Sequence, residues 1–130
     1  MVRRVMMILA LVCPAGAANA QGVCGDAANQ RAINECYGTL YKQADSQLQA
    51  TYDSLRKKLT PEAATRLRDA QRAWVAYKEN WCALQSSTVE NGSMYPSVLA
   101  QCLTQLTNEQ LERLTYQNTC VEDVDCWPKR

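Results

Sequence analysis

The chain has 130 residues, with 14 lysines and arginines, 13 aspartates and glutamates, seven cysteines and no histidine. That length holds one domain with a modest core, and the near balance of charge leaves no clustered cations to track nucleic acid or anionic lipid. The absence of histidine removes the Ser-His and Cys-His nucleophiles on which many hydrolytic enzymes depend.

The first element is a leader. Met1-Val2-Arg3-Arg4, an apolar run from Val5 to Val12 and the small residues ending Ala18-Asn19-Ala20 have the layout of a secretory signal peptide cleaved before Gln21. Residues 1–20 are then the signal, and residues 21–130 are a single domain ending in a cysteine-containing tail. Export to the periplasm or the medium follows. A lipoprotein anchored through Cys13 is the alternative, but Val12 before it is not small and Pro14 follows it. The apolar run is shorter than the roughly 20 residues of a membrane-spanning helix, and no later stretch approaches that length, so no stable membrane anchor is expected. Without residues 1–20 the charge becomes 12 cations against 13 anions, a net of −1.

Asp26 to Cys36 predicts a short N-terminal helix that stops near Gly38. A second helix begins near Thr39 and carries Leu40, Ala44, Leu48, Tyr52, Leu55 and Leu59 on one face. It closes on Arg56-Lys57-Lys58, cations that suit the negative end of a helix dipole. Thr60 can cap the next helix and Pro61 fits its first turn. Ala63, Leu67, Ala70, Trp74, Tyr77, Trp81 and Leu84 follow at spacings of four and three, a predicted core stripe. The Leu59-Thr60-Pro61 junction is so short that these two helices must run antiparallel. After a polar stretch from Ser86 to Tyr95, Pro96 to Leu114 carries Val98, Leu99, Cys102, Leu103, Leu106, Leu111 and Leu114. Thr107 and Gln110 have capping-box spacing, which predicts an interruption there. No alternating apolar and polar run offers a strand. The expected fold is therefore all-α, a small disulfide-stapled bundle of about three main helices with a short N-terminal helix.

Cys24, Cys36, Cys82, Cys102, Cys120 and Cys126 remain in the exported chain, and six cysteines allow 15 pairings. Order along the chain favours local pairs, Cys24 with Cys36, Cys82 with Cys102 and Cys120 with Cys126. Each such bridge stabilises a small exported domain by about 2 to 4 kcal/mol. Zinc is the competing reading of clustered cysteines, but no Cys-x-x-Cys spacing and no histidine support it. Neither a metal nor a cofactor is expected.

Cys24, Gln30, Asn34 and Cys36, then Ala44-Asp45 with Leu48 and Tyr52, then Ala70-Gln71-Arg72-Ala73-Trp74 with Tyr77 and Cys82, then Gly92-Ser93, Cys102 and Leu106-Thr107 form an ordered pattern. In that order and spacing the chain resembles the LprI-type lysozyme-inhibitor N-terminal domain family over nearly its whole exported length. The resemblance implies a small exported bacterial domain that binds and inhibits a c-type lysozyme, a muramidase. Lys78 stands where an arginine commonly follows the tyrosine, Gln110 where an arginine often follows the threonine, and the Cys120 to Cys126 tail is an addition. Lysine cannot reproduce the planar fork of arginine against a carboxylate, which makes Lys78 a position to watch at a partner contact.

An inhibitor of a muramidase must enter a groove floored by two carboxylates and hydrogen-bond where sugar hydroxyls lie. The connection from Ser86 to Tyr95 fits that need. Ser86, Ser87, Thr88 and Ser93 offer hydroxyls, Asn91-Gly92 favours a tight turn, Tyr95 can anchor the contact, and a Cys82 to Cys102 bridge would pin both ends. Glu90 opposes it, since a carboxylate facing an acidic floor is repelled. An ordinary polar interhelix connection explains the same residues equally well. Trp74, Trp81, Tyr77 and Tyr52 read as core. Gln30, Asn34, Asp45 and Gln71 read as polar groups that satisfy helix ends and each other. Glu122, Asp123 and Asp125 read as a solvated acidic tail. No enzyme is expected, because Asp45, Asp69, Glu79 and Glu90 suggest no carboxylate pair across a cleft and no low-pKa thiol motif is present. The rival reading is a periplasmic immunity or envelope-interaction protein with a different cell-wall hydrolase or partner as its target.

Overall fold

The computed structural model describes residues 23–121 and 124–130. The expected signal peptide, including Cys13, lies outside the described residues, as do Glu122 and Asp123. The first helix, α1, spans Gln30–Lys58. Asn29 caps it by accepting a hydrogen bond from the Ala32 amide at 3.0 Å. The short helix expected to stop near Gly38 is instead the opening of α1, which continues through Gly38 without a break. A lone glycine inside a helix costs about 1 kcal/mol relative to alanine, too little to end a helix whose later turns are buried. Ala44, Leu48, Tyr52 and Leu55 form its buried face, and Arg56, Lys57 and Lys58 occupy its last turn.

Leu59 is extended, and α2 spans Pro61–Ser86. Thr60 is its N-cap, with the hydroxyl accepting from the Ala63 amide at 3.4 Å and Pro61 in the first turn. A short 3-10 turn, Ser87–Val89, follows. The last helix, α3, spans Tyr95–Thr119. It is unbroken at Thr107, contrary to the interruption expected there. The Thr107 side chain is fully buried, and Gln110 reaches across to donate to the Gln71 carbonyl oxygen at 3.1 Å rather than back to a cap.

The three helices run up, down and up. Ser97 lies by Gln30 and Asn118 by Ser54, so α1 and α3 are parallel, while Lys78 beside Tyr41 sets α2 antiparallel to α1. α3 lies close along α1, whereas α1 and α2 draw apart beyond their junction and are bridged by long side chains. Leu48, Tyr52, Leu55, Leu59, Leu67 and Leu114 form one apolar cluster, with Ala63, Ala64, Trp74 and Leu111 packed on it. Each fully buried leucine contributes roughly 1.5 to 3 kcal/mol.

The expected α2 stripe holds only in its first half. Leu67 is buried and Trp74 packs on the cluster, but Tyr77 is 51%, Trp81 47% and Leu84 69% exposed. Alternating spacings of three and four average 3.5 residues, so the stripe rotates about 20° per heptad away from the core-facing line. Lys78, Cys82 and Ser86, four apart, occupy that line instead.

The three disulfides are Cys24–Cys36, Cys82–Cys102 and Cys120–Cys126, with Cα separations of 5.8, 5.6 and 5.7 Å. The chain beyond Cys126 turns back over the α1–α2 junction. Thr60 donates its amide to the Pro128 carbonyl at 3.0 Å, and Arg130 donates its amide to the Lys58 carbonyl at 2.9 Å. Leu59 and Lys129 thus form an isolated antiparallel bridge. Gln117 holds the turn from within, donating to the Asp125 carbonyl and accepting from the Trp127 amide, each at 2.9 Å. Lys129 Nζ donates to the Cys120 carbonyl.

Candidate partner-binding surface

The connection between α2 and α3 is short of apolar groups, so its shape rests on hydrogen bonds and one covalent tie. Gly92 donates its amide to the Val89 carbonyl at 2.8 Å, and Tyr95 donates to the Gly92 carbonyl at 3.1 Å, closing two tight turns. A Cβ at Gly92 would stand 3.3 Å from the Val89 oxygen, a close approach that favours glycine. The Cys82–Cys102 disulfide joins α2 to α3 beneath the loop. From the side, Asn34 on α1 donates to the Ser93 carbonyl at 2.9 Å. Gln30 donates to Asn34 Oδ1 at 2.9 Å and lies 3.3 Å from the Ser97 hydroxyl. Of the four polar residues read as satisfying helix ends and each other, Gln30 and Asn34 do bond one another, and in doing so they clamp the loop to α1, whereas Asp45 lies by Lys78 and Gln71 by Gln110.

The structure brings Ser87, Thr88, Asn91, Gly92 and Ser93 together on the exposed rim of this loop, with Glu90 and a half-exposed Met94. Tyr95 is partly buried at the start of α3. Ser86 is fully buried, its hydroxyl donating to the Cys82 carbonyl at 2.7 Å, and so does not share that rim. Lys78 is also buried. Its Nζ donates to the Tyr41 hydroxyl at 3.1 Å, lies 3.5 Å from Asp45 Oδ1, and sits 5.1 and 4.9 Å from the centroids of the Tyr41 and Trp74 rings. Lys78 thus ties α2 to α1 from inside. The apolar stem that lets a lysine pack between rings gives its sequence no mark of burial.

Two surface features went unseen in the sequence. Tyr77 and Trp81 stack with ring centroids 5.9 Å apart and, with Leu84, make an exposed apolar strip that climbs α2 toward the loop. At the opposite end the fold gathers cations that are scattered along the chain. Arg56, Lys57 and Lys58 come from α1, Arg66, Arg68 and Arg72 from α2, and Lys129 and Arg130 from the tail, against the carboxylates of Asp53, Glu62 and Asp69. Among the described residues, no group of three or more histidine, cysteine, aspartate or glutamate side chains is placed to hold a metal ion. No helix among them is long and apolar enough to cross a membrane.

These features define a class, a small disulfide-stapled helical domain whose ordered loop and exposed aromatic strip suit protein contact. The chain belongs to the family described as lysozyme inhibitor LprI, which it matches over residues 23–114. The matched span covers all three helices except the last turn of α3 and stops before the docked tail. A protein of Rhizobium meliloti (strain 1021), described as uncharacterized, is 30% identical over 121 residues, covering 83% of this chain and 87% of its own. No solved structure matches this chain.

Proposed function

We propose that this protein is an exported inhibitor of a c-type lysozyme and that it presents the Ser87–Met94 loop, backed by the Tyr77, Trp81 and Leu84 strip, to the enzyme's cleft. The observation that carries the reading is the double anchoring of the loop. A disulfide holds it from below and Asn34 from the side, so little conformational entropy is lost on binding. Thr88, Asn91 and Ser93 supply hydroxyl and amide groups where sugar hydroxyls would lie, while Glu90 belongs at the rim, away from the acidic floor. The stacked Tyr77 and Trp81 offer the rigid aromatic area that dominates many protein contacts.

Titration of a c-type lysozyme with the oxidised protein tests this. Dose-dependent loss of muramidase activity, abolished when the protein is reduced and alkylated, is the expected result. Unchanged activity at saturating protein and at every salt concentration would refute it. The exposed Tyr77, Trp81 and Leu84 strip, which suits protein partners other than a lysozyme equally well, supports one second reading, a different cell-wall hydrolase or envelope partner. A pull-down from envelope extract that depends on Trp81 separates it from the first.

A further inference from the structure

On the side where α1 and α2 draw apart, an open groove of about 410 Å³ runs between them, lined by Tyr52, Arg56, Arg68, Gln71, Arg72 and Val75. Its size is in the range of small-molecule sites. We propose that this groove binds an anionic saccharide, a sugar bearing a phosphate or carboxylate group.

Three arginines line one hollow, and two of them, Arg56 and Arg72, form no ion pair or hydrogen bond among the described residues. The third, Arg68, contacts Asp69 at 2.9 Å in an exposed pair, which is worth little in water and yields readily to a better anion. Asp69 and Asp53 are the carboxylates nearest along the two helices, too few to neutralise three arginines joined by Lys57 and Lys58. Arginine presents a planar fork that pairs with phosphate or carboxylate through two parallel hydrogen bonds. Cations gathered on one hollow repel, and an anion bound among them removes that cost.

The rest of the lining decides what carries the anion. Gln71 is held by Gln110, which donates to its carbonyl oxygen, so the Gln71 amide nitrogen remains available to donate. Tyr52 and the partly buried Val75 give the floor an apolar surface. A neutral hydrogen-bonding group and an apolar floor beside the arginines suit one charged substituent on a neutral, hydroxylated body. An evenly charged polymer would call for cations along a continuous track. The groove sits on the cationic end, away from the loop proposed to meet lysozyme, so the two activities are separable.

Calorimetric titration of the full oxidised chain with glucose 1-phosphate, glucuronic acid, glucose and inorganic phosphate tests the assignment. Saturable binding of at least one charged sugar is expected, weakened about tenfold or more by Arg56→Ala or Arg72→Ala and retained in part by Arg72→Lys. Both arginines are exposed, and an unchanged thermal melt of each variant verifies the fold. Lysozyme inhibition should be the same in the variants as in the parent. The proposal is overturned if neither charged sugar binds saturably, or if both single variants bind as the parent does. It is equally overturned if glucose or inorganic phosphate binds as tightly as the charged sugars.

Discussion

At the hairpin end of the bundle, Leu48, Tyr52, Leu55, Leu59, Leu67 and Leu114 make a continuous apolar cluster. At the loop end the buried positions are Cys24, Cys82, Cys102, Ser86, Ser97 and Ala100, small or polar groups that bury little apolar area. Two disulfides and the Gln30, Asn34 clamp stand where leucines stand at the other end. A chain of this length buries too little apolar area to build a deep core at both ends, so covalent ties hold the end whose surface is polar.

Leu55→Ala strikes the apolar half and should cost most, about 2 to 5 kcal/mol in denaturant unfolding, because the side chain is fully buried at the centre of the cluster. Replacing Cys82 and Cys102 together by alanine should cost about 3 kcal/mol, from the loop entropy restored to the unfolded chain. The sharper readout is hydrogen exchange. In that variant, amides from Ser86 to Ser97 should lose protection while those from Leu48 to Leu55 keep it; uniform loss would dissolve the division into halves. Lys78→Ala, midway between the ends, should cost about 2 kcal/mol through lost packing between Tyr41 and Trp74, and Lys78→Met should recover more than half of it. Equal losses in the two variants would shift the weight from the stem to the Nζ contacts. Thr107→Val should raise stability by about 1 kcal/mol, since the buried Thr107 hydroxyl has no hydrogen-bond partner among the described residues.

Much of the helical framework was legible from short-range signals. Thr60 and Pro61 start α2 where their chemistry requires, the α1 stripe from Ala44 to Leu59 is the buried one, and the pairing of cysteines in chain order is the pairing observed. What escaped reading depends on partners distant in sequence. Gly38 and Thr107 looked like helix breaks because local propensity takes no account of the tertiary packing that carries a helix through them. Tyr77, Trp81 and Leu84 looked like core because their spacing is helical, yet a small rotation of that line leaves them half exposed or more. Of the candidate contact residues, Ser86 and Lys78 proved to be interior, and a lone serine or lysine in the sequence carries no mark of which way it faces. The cationic end was invisible for a related reason, since it is assembled from three segments of the chain.

The returning tail sets an order of assembly. Arg130 Nε meets the Leu59 carbonyl across 71 residues, whereas the disulfides at the other end span only 12 and 20. Contacts between near neighbours in sequence form at a smaller entropic cost than contacts between distant ones. The disulfides are therefore poised to close early, while the α1–α2 junction, like the Asn34 and Gln30 contacts that span 59 and 67 residues, waits for a distant segment. The strand-like clasp at Leu59 and Lys129 then covers backbone groups at the α1–α2 junction that no nearby segment can reach.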